Sequence, residues 1–176
     1  MVAFGTYAVK TATDFDKASN QIQSSLGLTT QEVKEYEEVM RNVYNANYGE
    51  SYEDVANSIA TVQKTLDGLN SEQLEKVTES ALTLRDTFGI EVNESIRATK
   101  AMMDIFGTSS DEAMNLLAQG FQNGLNYSDE FIDNINEYSV QFGKLGLSAE
   151  DMFNIFQSGA DAGAWNLDKI GDAVKE

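Results

Sequence analysis

Carboxylates recur in pairs along this chain of 176 residues: Asp111 with Glu112, Asp129 with Glu130, Glu150 with Asp151. Two neighbouring carboxylates can share a proton for acid–base catalysis or hold a divalent cation. The residues around these pairs do not support either chemistry. A calcium loop needs oxygen ligands at alternate positions, glycine at the sixth and glutamate at the twelfth, and "GTSSDEA" at 107–113 does not supply them. The chain has no histidine and no cysteine. It therefore lacks the commonest general base, the commonest neutral-pH metal ligand and any thiolate or disulfide chemistry. No phosphate-binding loop, Ser-His-Asp set or metal-ligand cluster occurs. The expectation is no enzyme, with no catalytic, cofactor-binding or metal residues.

What the acids share is their spacing from a small polar residue and a glycine. Gly27 opens "GLTTQEV", Gly49 "GESYEDV", Gly68 "GLNSEQL", Gly107 "GTSSDEA", Gly124 "GLNYSDE" and Gly146 "GLSAEDM". In each, Ser, Thr or Asn follows two residues after the glycine, and Glu, Asp or Gln three residues later. The pairs are Thr29 with Glu32, Ser51 with Asp54, Asn70 with Gln73, Ser109 with Glu112, Asn126 with Asp129, and Ser148 with Asp151. This is a helix stop joined to a helix start. Glycine closes one helix in the left-handed conformation. The polar oxygen then caps the next helix, and the acid or amide reaches back to the cap's own N–H. Gly89 and Gly163 are weaker seams: Glu91 stands at the cap position after the first, and Asn166 with Lys169 follows the second.

Between seams the apolar residues step by three and four, as helices require. Tyr52, Val55, Ile59, Val62 and Leu66 form one stripe, and Leu74, Val77, Ala81, Leu84 and Phe88 the next. Val92, Ile96, Thr99, Met103 and Phe106 form a third, and Phe131, Ile135, Tyr138, Phe142 and Leu145 a fourth. No stretch alternates as a strand would. Gly159 and Gly163 form a G-x-x-x-G that reads as close packing of soluble helices, since Asp161 lies between them. Trp165, the sole tryptophan, is expected in the core.

Gly27, Gly68, Gly107 and Gly146 recur with a period of about 40 residues, the mark of stacked helical hairpins. The expected fold is all-α: a single domain spanning 1–176 with about eight or nine helices. It would comprise a helix at 6–26 and then units 27–67, 68–106, 107–145 and a shortened 146–176. Both ends read as cut from a longer protein.

Charge narrows the partners. Twelve Lys and Arg face 29 Asp and Glu, a formal −17, and residues 101–143 contain no base at all. Such a surface repels phosphate backbones, so no direct nucleic-acid binding is expected. No apolar run approaches the roughly 20 residues that span a bilayer.

Four stretches together resemble a segment of the phage tail tape measure proteins of siphophages and prophages of Gram-positive bacteria. They are "DFDKASNQIQSSLGLTTQEV" (14–33), "SYEDVA" (51–56), "EYSVQFGKLGLSAEDMF" (137–153) and "GAWNLDKIGDAVKE" (163–176). Ser19 stands where that family usually carries Met, and Trp165 where Phe is commoner. The resemblance implies a structural segment that takes part in tail tube assembly and in setting tail length. Its partners would be tail tube and tail-assembly proteins and copies of itself along the tail. It would be found in the virion tail, and in the bacterial host cytoplasm during assembly. The alternative is a soluble helical-repeat module that binds a protein partner and has no role as a ruler.

Overall fold

A computed structural model describes residues 3–175, with side chains from residue 11 onward. Among the described residues there are nine α-helices and no strands. They are α1 (Ala3–Leu26), α2 (Val33–Asn45), α3 (Tyr52–Thr65), α4 (Ser71–Phe88), α5 (Val92–Phe106), α6 (Ser110–Gln122), α7 (Phe131–Lys144), α8 (Ala149–Asp161) and α9 (Asp168–Lys175). The all-α array expected from the apolar spacing is therefore what forms.

All eight seam glycines have positive φ, from 68° at Gly27 to 91° at Gly163. Gly107 shows why glycine is required. It caps α5 at φ 71° and ψ 20°, its N–H bonding back to the Met103 carbonyl, and a side chain there would meet its own backbone.

The helices gather into two compact units that divide inside α4, between Thr83 and Leu84. In the first unit α1 lies along α3, and α2 packs on both. Ala18 and Ile22 of α1, Met40 and Val43 of α2, and Val55, Ile59 and Val62 of α3 fill its core with almost no exposure. In the second unit α5 lies along α7 in the same way, α6 packs on α5 and α8, and α9 closes on α7 and α8. Phe88, Phe121, Phe131 and Phe153 form a continuous row of rings there, with centroids 5.1, 5.1 and 5.5 Å apart. Edge-to-face pairs at such distances add about 0.5–1.5 kcal/mol each beyond burial.

Three apolar expectations fail. Leu145 is 61% exposed. It follows the last residue of α7, where the chain turns into Gly146, and the Leu145 and Leu147 N–H groups both bond to the Phe142 carbonyl. On α5 the fully buried methionine is Met102, and Met103 is half-buried. Trp165 is also outside the core, at 72% exposure. Asn166 and Leu167 take the buried positions in the α8–α9 connector, and Trp165 is left on the outer side.

Candidate functional site: helix seams and an exposed aromatic loop

The acids that could have done chemistry are held by the seams. At Ser109 the backbone N–H donates to Glu112 Oε2 at 2.9 Å, and the Glu112 N–H donates to Ser109 Oγ at 3.2 Å. Ser148 and Asp151 make the same reciprocal pair at 2.9 and 3.1 Å. Asn70 and Gln73 do so at 3.0 and 2.9 Å. At Thr29 and Glu32 the two bonds form at 2.8 and 3.3 Å, one turn before α2 becomes regular. These bonds favour the charged form, so the Glu32, Glu112 and Asp151 carboxyls lie below their ordinary range. The leading cause is the Thr29 hydroxyl for Glu32, the Ser109 N–H for Glu112 and the Ser148 N–H for Asp151.

Other seams differ. Ser51 accepts from the Asp54 N–H at 3.2 Å, but the Asp54 carboxylate takes the Glu50 N–H at 2.9 Å, one residue earlier than the motif requires. Glu91 makes no side-chain cap. After Gly163, Asn166 accepts from the Lys169 N–H at 3.2 Å and starts α9.

Asn126 and Asp129 form no capping box, contrary to the spacing. The new helix starts later, at Phe131, whose N–H bonds to Asn126 Oδ1 at 3.2 Å. Asp129 sits at φ 57°, an uncommon conformation that short polar side chains tolerate best. The reason is the close approach of Phe131 to Gly120, where any Cβ would overlap the ring. That packing sets the start of α7 and stretches the loop ahead of it.

The loop carries Tyr127, 45% exposed, whose hydroxyl donates to the Ala164 carbonyl at 3.0 Å. Trp165 follows directly. Lys169 Nζ stands 5.9 Å from the Trp165 ring centroid. In the same loop Ser128 Oγ and Glu130 Oε2 are buried without a hydrogen-bond partner. No spacing rule marked this feature; the one available signal was a tryptophan flanked by seam residues.

At α9, the Tyr138 hydroxyl lies 2.8 Å from Asp168 Oδ1 and 2.9 Å from Asp172 Oδ1, with its ring laid on Gly171. Burial and then the two carboxylates hold the phenol far above its usual range.

Each unit also has a small cavity between two helices related by the repeat. The first, about 190 Å³, lies between α2 and the start of α4, lined by Glu35, Tyr36, Val39, Gln63 and Leu74. The second, about 350 Å³, lies between α6 and the start of α8, lined by Asn115, Leu116, Gln119 and Glu150. Gln63 and Gln141 each stand five residues before a seam glycine, Gly68 and Gly146, and each keeps a buried, unpaired side-chain oxygen. Among the described residues no group of three or more acids could hold a metal ion, and no helix is long and apolar enough to cross a membrane.

A family model described as phage-related minor tail protein matches residues 42–176. The chain belongs to this family of phage minor tail proteins. Over 81 residues, 46% of this chain, it is 36% identical to the probable tape measure protein of Streptomyces phage phiC31. That stretch spans 11% of the relative's length. No solved structure matches the chain. The seams thus belong to a phage tail protein, as the quoted stretches implied.

Proposed function

We propose that this chain is a structural segment of a tape measure protein, taking part in tail tube assembly and in setting tail length. The observation that carries the proposal is the 36% identity with a protein named as a probable tape measure protein. The repeat supports it physically. The seam glycines recur about every 40 residues, so length added or removed at matching seams would leave each helix end with its own stop or start. The chain would work by packing and contact rather than catalysis, within the virion tail and, during assembly, in the host cytoplasm. Its partners would be tail tube and assembly proteins.

The test is excision of one unit, residues 107–145, from the parent protein. An α-helix rises about 1.5 Å per residue, so 39 residues laid out as helix correspond to roughly 58 Å of tail. Electron micrographs of the deletion phage are expected to show tails shorter by about that length. Infectious phage with tails of unchanged length would overturn the ruler role and favour a partner-binding module.

A further inference from the structure

Trp165 is the chain's single tryptophan, and 72% of it faces water. Exposed Trp and Tyr side chains are the types that most often carry the binding energy of protein interfaces. Here the two types are brought together. The bond from the Tyr127 hydroxyl to the Ala164 carbonyl ties the α6–α7 loop to the α8–α9 loop, so both exposed rings lie on joined loops of one unit.

Three observations indicate what these loops would bind. First, Glu130 Oε2 and Ser128 Oγ are buried and unpaired in the loop that carries Tyr127. The Glu130 side chain as a whole is only half-buried, so its carboxylate adds negative charge to the surface that carries Tyr127. Second, Lys169 Nζ already stands near the Trp165 ring, at the outer limit of a cation–π contact, and also lies 4.0 Å from an Asp172 oxygen. The indole ring thus already faces a cation, and that cation is loosely held. Third, residues 101–143 hold seven acids and no Lys or Arg. A second copy of this chain, at −17, is repelled, whereas a basic surface is attracted.

We propose that Tyr127, Glu130 and Trp165 form a docking site for a basic segment of a partner protein, with an Arg or Lys side chain seated against the rings and the Glu130 carboxylate. This names the chemistry of one partner within the tail reading. It does not depend on the ruler role, because the site is tested on the purified chain and the ruler in phage.

Trp165, being the single tryptophan, reports on its own site. The full chain is titrated with acetyl-hexa-arginine amide, and Trp165 emission is followed. A saturable, salt-sensitive change is expected. Glu130→Gln is expected to weaken binding about ten-fold, as loss of a charge-assisted contact does. Glu53→Gln, in the other unit, removes the same charge and is expected to leave binding unchanged. Circular dichroism checks the fold of both variants. Should Glu130→Gln unfold the chain, Trp165→Ala, at an exposed position, is tested with a fluorescently labelled peptide and is expected to weaken binding to a similar degree. Equal weakening by Glu130→Gln and Glu53→Gln would show diffuse attraction and overturn the proposal. So would peptide binding that leaves Trp165 emission unchanged, or full affinity in Trp165→Ala.

Discussion

Phe131 lays the end of its ring on Gly120, so closely that no Cβ fits between them. The contact joins α6 to the first residue of α7 and sits inside the row of phenylalanines that fills the second unit. Gly120 lies in the last turn of α6 with helical backbone, where alanine would ordinarily gain up to about 1 kcal/mol. Gly120→Ala is nevertheless expected to destabilise the chain, because overpacking a filled core costs about 1–3 kcal/mol. Denaturant unfolding checks this. Phe131→Leu in the same background should recover part of the loss, as a coupled pair does; additive losses would contradict the contact.

Ser109→Ala removes one half of a capping box and is expected to cost about 0.5–2 kcal/mol. Thermal or urea unfolding measures it. Asn126→Ala is expected to act differently, by loosening the start of α7 at Phe131, since Asn126 bonds to that N–H rather than capping at its own position. Amide exchange at Phe131 separates the two effects.

The caps also set a pH dependence. The Glu32, Glu112 and Asp151 carboxyls are lowered in the folded chain, so the fold binds their protons less readily than the unfolded chain does. Their contribution is complete above the unfolded carboxylate range of about 4 and is lost as pH falls through the lower folded values. All three are exposed to solvent, so each contribution is screened. Unfolding midpoints should fall on acidification below about pH 4, and less so in Ser109→Ala, whose Glu112 has lost its hydroxyl partner.

Tyr138→Phe is expected to free α9 from α7 while leaving the core intact, because the ring stays on Gly171 and only the bonds to Asp168 and Asp172 go. Faster amide exchange confined to α9 would be the sign; unchanged exchange there would show that the two carboxylates do not hold the helix. The phenol is raised in the fold, so its contribution is full below the ordinary tyrosine value of about 10 and fades at higher pH. Alkaline titration should therefore loosen wild-type α9, and change α9 less in the Phe variant.

At physiological salt the chain is expected not to retain duplex DNA in a gel-shift assay. Counterion release needs cationic contacts to phosphates, and the formal charge is −17. Micromolar retention would contradict this.

The helices, their seams and the caps at Ser109 and Ser148 were legible in the sequence because they are local. A glycine at positive φ, a hydroxyl three residues before an acid and an apolar stripe act within one or two turns of chain. The family resemblance was legible for the same reason, since its stretches run through those seams. Distant packing decided the rest. Gly120 and Phe131 lie eleven residues apart, and their contact moved the start of α7 and turned Asn126 and Asp129 from a cap into a strained loop. The bond between Tyr127 and Ala164, and the burial of Asn166 and Leu167, put Trp165 on the surface although its type belongs in a core. The pairing of hairpins into two units, with α1 along α3 and α5 along α7, likewise depends on which apolar faces meet in space. Spacing along the chain shows that a face is apolar; only tertiary packing selects which neighbour covers it and which ring is left in water.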